Sequence, residues 1–374
     1  MKFFFKRGVL PYIVDKRFIS PVTIIFFTRS QRTHRRTCIK KWPRGADLLF
    51  PVADEPNNFN NLQEGLAFNR RFAPGIYLGI APIATTEPHL KEIGRGRIIK
   101  NPRMQDIQLN QEYAIVMKRL KDEWRLDNWL DRLATEKGMR FLAEKIARIH
   151  QQVDRATHEL GQPQYLPKKL ETNIKLFEQA LNRLTQQNCE IEQHRAIGEI
   201  MQNFISGAAD DFNRRYEEGH VKRCHGDLKT INLWLKPVLP FPGCKLLWRS
   251  RLLPLDCIDF NPLLCNIDTL SDVAMLAVDL EVRLQLALAV TTGERQTEVL
   301  EQRAADLVKV FLEHYLFEMK ESGDAVWRLL EYYMAEKAMA CTHAFVMYYE
   351  ELELGKMYLR RVHAHAQRLL PVCV

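Results

Sequence analysis

The stretch His225-Gly226-Asp227-Leu228-Lys229-Thr230-Ile231-Asn232 constrains this chain more than any other. It places a carboxylate and a carboxamide five residues apart, and the next apolar run, Leu252 to Ile258, brings two further acids, Asp256 and Asp259. Ile231 to Leu235 and Leu252 to Ile258 read as two strands carrying polar groups at their ends. One or two carboxylates and an amide oxygen are enough to hold Mg²⁺, which prefers hard oxygen donors and keeps several waters. Asn232 would give a side-chain carbonyl and Asp259 a carboxylate, with nucleotide phosphates completing the shell. Asp227, upstream on the same loop, would orient a hydroxyl or accept its proton, a contribution of roughly 10²–10⁴-fold for a well-placed base. His225 reads as a strut fixing the loop, and Gly226 as a backbone geometry that a side chain would hinder. The plain alternative is an ordinary His-Gly-Asp turn, with Asp227 a cap or turn former.

These residues resemble the aminoglycoside phosphotransferase and choline kinase-like superfamily, whose hallmark is His-Gly-Asp-x4-Asn followed by Ile-Asp-Phe. Within it, the chain is similar to a bacterial group of uncharacterised aminoglycoside phosphotransferase-like proteins. The matching segments are Phe68–Gly79, Tyr113–Leu120, the catalytic loop, Asp256–Asn261 and Ile267–Glu281. The resemblance implies an α+β, bilobal protein-kinase-like fold: a small, mainly β N-lobe and a larger, mainly helical C-lobe. It implies ATP and Mg²⁺ as cofactors, Asp227 as the catalytic acid, and Asn232 and Asp259 as metal ligands. Asp256 competes with Asp259, and the place before Phe260 favours Asp259. Asp272 resembles a structural acid opening the next helix, where it would cap free amides. Lys229 stands where the family usually carries a histidine; a lysine there occurs in protein kinases, where it approaches the transferred phosphate. The strand at 113–120 resembles the one leading into a kinase hinge, so Met117, Arg119 and the backbone of Lys118 to Lys121 would meet the nucleotide.

A kinase of this kind needs a strand lysine to neutralise phosphate charge and a helix acid to hold it. Lys40 and Lys41 are the lysine candidates and Glu64 the partner. The family carries its acid directly before the leucine, where this chain has Gly65. A one-residue shift turns a helical side chain by about 100°. No glycine-rich phosphate loop precedes the lysines, and Gly94-Arg95-Gly96-Arg97 reads as a hairpin turn. No Gly-x4-Gly-Lys-Ser/Thr occurs, so the P-loop domain that some relatives carry is not expected here.

Eleven lysines and arginines stand against one acid, Asp15, in residues 1–41, a net +10 that leaves the other 333 residues at −2. Such an arm could attract nucleic acid, anionic lipid or polyphosphate. The blander reading is a poorly ordered extension or a degenerate small lobe, because no nucleic-acid motif accompanies the charge. Eight cysteines without a Cys-x-x-Cys pair, several inside apolar runs, suggest a reducing, cytoplasmic setting. No apolar run approaches the roughly 20 residues needed to span a bilayer.

Strand pattern at 22–28 and a helix at 61–71 precede the strand at 112–120. Helices are expected over 139–153, 168–186, 192–218, 272–290, 296–320 and 324–350. Two domains are expected, a basic arm with N-lobe over 1–120 and a C-lobe over 121–374. Prolines 237, 240 and 242 mark a turn-rich insertion in which Lys245 to Trp248 could add an edge strand. His150 reads as a packed helix-end histidine, and His363 with His365 lacks a third metal ligand. Three functions fit: a kinase phosphorylating a hydroxyl of a small molecule, a pseudokinase that binds nucleotide without transfer, and an adaptor acting through the basic arm.

Overall fold

β-branched and aromatic residues crowd the first third of the chain, and long helical periods fill the rest. That split is the fold. The computed structural model describes residues 10–19, 24–30, 36–41, 59–84, 92–103, 106, 112–184, 188–238, 250–259 and 261–370. The architecture is α+β and kinase-like, with a mainly β N-terminal part and a helical C-terminal part. The chain divides into two compact units, residues 1–122 with 255–261, and residues 123–254 with 262–374. The first unit thus takes in the segment carrying both Asp256 and Asp259.

The first unit holds β1 (Leu10–Ile19), β2 (Ile24–Ser30), β3 (Arg36–Lys41), α1 (Phe59–Phe72), β4 (Tyr77–Ala84), β5 (Glu92–Arg95) and β6 (Tyr113–Lys118). The strands close an antiparallel barrel in the order β1-β2-β3-β6-β4-β5, with β5 returning to β1. Phe26, Ile39, Ile83 and Ala114 form its apolar cluster. The basic segment is therefore not a loose extension where it is described: residues 10–19, 24–30 and 36–41 are barrel strands. Residues 1–9 lie outside the described residues. The turn expected at Gly94–Arg97 is instead the end of β5, paired with Leu10–Ile13. Gly96 lets that strand press against β4, because a Cβ there would meet Pro82 Cγ at 2.5 Å. On α1, Leu62, Leu66 and Asn69 are buried at helical spacing, which leaves Glu64 exposed.

The second unit is built from α2 (Leu130–Leu133), α3 (Glu136–Gln152), α4 (Leu166–Leu184), α5 (Asn188–Gly207), α6 (Ala209–Glu217), β7 (Val221–Arg223), β8 (Leu233–Pro237), β9 (Ser250–Pro254), α7 (Pro262–Cys265), β10 (Asn266–Asp268), α8 (Thr269–Thr292), α9 (Thr297–Met319), α10 (Asp324–His343) and α11 (Leu352–Gln367). The single helix expected over 192–218 breaks at Ala208 into α5 and α6. The one expected over 324–350 stops at His343 and runs into a π-turn at Ala344–Tyr348. Periodicity alone does not see either break, because apolar spacing continues across both. α8 is buried almost all round, as a helix apolar on every face must be, and Asp268 caps it by accepting the Leu270 amide at 2.9 Å. β8 and β9 form the expected hairpin; residues 239–249 at its tip, including the proposed edge strand, lie outside the described residues. Cys38, Cys224, Cys257, Cys265 and Cys341 are buried and unbridged. Among the described residues no helix is long and apolar enough to cross a membrane.

His365 is not a metal ligand in a tail. It is buried on α11, 3.0 Å from Glu281 of α8 and 2.7 Å from Glu331 of α10. Burial opposes its charge, but the two glutamates outweigh that and hold its pKa up at about 9. A raised histidine stabilises the fold fully below its unfolded pKa near 6.5 and loses that contribution as pH rises through about 9. Thermal stability is therefore expected to fall between pH 7 and 9.5 by a few kcal/mol, and His365→Gln should flatten that slope. Melting curves across that range check it; an unchanged slope in the variant would remove His365 as the cause.

Candidate active site

The loop carrying His225 to Asn232 joins β7 to a short 3-10 turn at Thr230–Asn232 and then to β8. Its geometry comes from two acids on α8. Asp272 accepts the His225 amide at 3.0 Å and the Gly226 amide at 2.8 Å. Asp279 accepts the Thr230 amide at 2.7 Å and the Thr230 hydroxyl at 2.6 Å. Seven residues are close to two helical turns, so both carboxylates lie on one face of α8 and hold the two ends of the loop. Gly226 takes a left-handed φ of 85°, a conformation that L side chains rarely adopt.

Between those anchors, the Asp227 carboxylate is gripped from both sides. Lys229 Nζ lies 2.9 Å from one oxygen, and Asn232 Nδ2 donates to the other at 2.8 Å and to the Asp227 carbonyl at 2.9 Å. Lys229 is 5% exposed, and Phe345 and Tyr349 flank its ammonium at 5.9 and 6.0 Å. Burial would discharge Lys229, but Asp227 and the other groups around it hold its pKa above the usual lysine value. The π-turn is what brings Phe345 to that position. His225 is fully buried, and its Nδ1 accepts the Asp227 amide at 3.3 Å. Asp227 itself keeps 27% of its side chain in solvent, open to an incoming hydroxyl.

Asp272 corrects one expectation. It does not cap its own helix, a task that falls to Asp268; it ties the loop to α8 and takes His150 Nε2 at 3.2 Å. His150 in turn meets the Tyr315 hydroxyl at 2.6 Å. Burial alone would raise the Asp272 carboxyl, but His150, with His225 and the Gly226 amide, holds it below the ordinary aspartate value. His150, Cys224 and Asp272 put ligand-type atoms within 4.8 Å of one another, yet Cys224 Sγ contacts the Ile267 carbonyl and the other two are hydrogen-bonded as above. That cluster is a knot joining α3, the loop and α8.

In the first unit, Lys40 on β3 is 3% exposed and ion-paired with Asp256, whose side chain is 38% exposed. Burial opposes the Lys40 charge, and Asp256 and Asp259 raise its pKa above the usual value. Asp256 has a left-handed φ of 63°, and its amide donates to the Tyr77 hydroxyl at 2.9 Å. Asn69 on α1 donates to Asp259 Oδ2 at 2.8 Å and accepts the Cys257 amide at 3.3 Å. Glu64, the expected lysine partner, is exposed, so Asp256 takes that place. The Lys41 side chain and Phe260 lie outside the described residues.

The expected nucleotide-contacting strand is β6. Met117 is buried there opposite Cys38 and Tyr77, and the Lys118 amide is spent on the Ile76 carbonyl at 2.9 Å. The Arg119 guanidinium pairs with Asp15 at 2.9 Å and lies 5.3 Å from the Phe27 ring. Each unit, taken by itself, carries oxygen donors of the kind a hard divalent cation prefers. Asn232, having turned its Nδ2 to Asp227, has its carbonyl oxygen uncommitted among the described residues. Asp256 is open to solvent, and Asp259 Oδ1 is buried without a hydrogen-bond partner among the described residues.

The loop acid, Lys229 and Asn232 are thus one cluster, and Lys40 with Asp256 another. Sequence reasoning missed Asp279, Asn69, Tyr77, Phe345 and Tyr349. Asp279 carries a signal that could have found it: an acid two turns after Asp272 inside an otherwise apolar run.

No protein-family model matches the chain. An uncharacterised protein of Mycobacterium tuberculosis and one of Mycobacterium bovis are each 25% identical over 274 residues, covering 70% of this chain and 47% of theirs. The chain spans about half the length of the curated relatives it matches. Among solved structures, a choline kinase from Cryptosporidium parvum aligns over 96% of this chain and 89% of its own, with TM-score 0.50 and 12% identity. An ethanolamine kinase of Plasmodium vivax aligns over 98% and 85%, with TM-score 0.47 and 9% identity. The fold is therefore one that small-molecule kinases use.

Proposed function

We propose that the protein is an ATP- and Mg²⁺-dependent phosphotransferase that moves the γ-phosphoryl group of ATP to a hydroxyl of a small molecule. The observation carrying this reading is Asp227, a part-exposed carboxylate held between Lys229 and Asn232 on a loop tied at both ends to α8. Such rigidity is what phosphoryl transfer needs, because most of its catalysis is positioning and charge neutralisation. Asp227 orients the acceptor hydroxyl and takes its proton as the new P–O bond forms. Lys229, charged and shielded from water, faces the developing negative charge, and Lys40 neutralises the nucleotide phosphates. The resemblance gives Asn232, and Asp259 by its place before Phe260, as the residues that would hold Mg²⁺. The metal, when bound, offsets the charge on the phosphate oxygens.

The pseudokinase reading has one specific observation in its favour: α1 presents Gly65 where the resemblance calls for an acid, and Glu64 turns to solvent. Nucleotide titrations separate the two. ATP affinity is expected to strengthen at least tenfold when Mg²⁺ is added, and transfer to some member of a panel of amino alcohols, sugars and aminoglycosides should follow. ATP affinity that ignores Mg²⁺, with no transfer to any acceptor, would favour the pseudokinase.

A further inference from the structure

The helix that fixes the loop also carries an acid on its other side. Asp279 of α8 faces Thr230, and a step of two residues turns a helical side chain by about 200°, so Glu281 looks away from the loop. There α8, α9, α10 and the end of α11 surround a cleft of about 600 Å³ that phosphoryl transfer at Asp227 does not use. We propose that this cleft is a second ligand site, which takes a small organic monocation, an ammonium on an apolar stem, with Glu281 Oε1 as its acceptor.

Glu281 and His365 are the polar part of the floor of the cleft, beside the buried Leu312 and Met334. The Glu281 side chain is 5% exposed. Its Oε2 meets His365 Nε2 at 3.0 Å, and its Oε1 has no hydrogen-bond partner among the described residues. His365 Nδ1 meets Glu331 at 2.7 Å, so both ring nitrogens face carboxylates and the ring carries a proton on each. Arg368 takes the other oxygen of Glu331 at 3.2 Å. A carboxylate so far out of water, with one oxygen left over, gains when a donor reaches it.

The lining sets the charge of that donor. Glu281, Asp306, Glu313 and Glu331 stand against Lys309, His365 and Arg368, four negative groups against three positive. Each of the three cations is already paired: Lys309 lies 3.9 Å from Glu313, and His365 and Arg368 are held as above. One negative charge is left over, which suits a single ammonium and opposes an anion. Asp306, exposed at the mouth, accepts the Gln302 side-chain amide at 2.9 Å and draws a cation toward the entrance. Trp327, Leu312 and Met334 give the stem an apolar wall, and the face of a Trp ring also attracts an ammonium.

The test is calorimetric titration of the full chain with three probes of similar size: 2-phenylethylammonium, 2-phenylethanol and 3-phenylpropionate. The ammonium is expected to bind at least tenfold tighter than either of the others. Glu281→Gln should weaken it about tenfold, and Ala305→Trp, which fills the cleft without altering its charge, should abolish binding. Asp227→Asn should leave its affinity within about twofold, because the loop lies across α8 from the cleft. The inference is overturned if the ammonium gives no binding up to about 10 mM, or if the three probes bind alike, for the cleft would then be merely apolar. It is also overturned if Ala305→Trp keeps binding that Asp227→Asn loses, because the amine would then sit at the acceptor site. Should Glu281→Gln or Ala305→Trp fail to fold, Asp306→Lys at its exposed position decides: a several-fold loss supports the site, and unchanged affinity overturns it.

Discussion

Asp227→Asn is expected to lower the turnover number by roughly 10²–10⁴-fold while leaving affinity for Mg²⁺-ATP within a few-fold of wild type. The substitution keeps the shape of the side chain and removes its capacity to accept a proton. It also breaks the charge pair with Lys229, which lies 2.9 Å away in a nearly water-free setting. The uncompensated ammonium that remains would be drawn toward the nucleotide phosphates, so binding should hold or tighten as catalysis falls. That split separates a chemical role from a structural one. Steady-state kinetics on any accepted substrate, paired with ATP titration, measures both quantities. Equal loss in both, with a lowered melting point, would mean that the residue serves the fold.

Asp272→Ala should cost about 3–5 kcal/mol, the expected penalty for removing one member of a buried charged network. The His225 and Gly226 amides would be left inside the protein with no acceptor, and His150 would lose the oxygen at 3.2 Å. For a chain of this size the melting temperature should fall by about 5 °C. Asp272→Asn should lose less, since one carbonyl oxygen survives to take one amide. The wild-type contribution should vanish in acid: the folded carboxyl sits below its ordinary value, so its stabilisation holds above the unfolded pKa and is lost as pH falls through the folded one. Calorimetric scans of both variants check this, and a melting point for Asp272→Ala within a degree or two of wild type would show the knot to be dispensable.

The α+β division was legible because strands and helices differ in apolar period, and that period is a property of neighbouring residues. The loop itself was legible for a related reason: Asp227, Lys229 and Asn232 sit within six residues, so a short piece of backbone brings them together. The partners were not. Asp279 is 49 residues from Thr230, Asn69 is 190 from Asp259, and Lys40 is 216 from Asp256. Contacts at such separations depend on how elements pack, which no local pattern records. Glu64 shows the same limit from the other side. It is the acid nearest the family position, but burial of Leu62, Leu66 and Asn69 decides which way α1 faces, and Glu64 is turned out. Asp272 was placed on the right helix with the wrong task, because a carboxylate in a first turn usually serves its own amides.

α8 has a consequence for how damage to this protein would be read. Its acids reach the loop only because the helix is packed on every side, with Val273, Leu276, Val278 and Leu280 all excluded from solvent. A methyl group lost from that packing would let the rod shift by a fraction of an ångström, and two carboxylates would carry the displacement straight to Asp227. Variants in greasy positions that touch no ligand should accordingly present themselves as poor catalysts before they present themselves as unstable proteins.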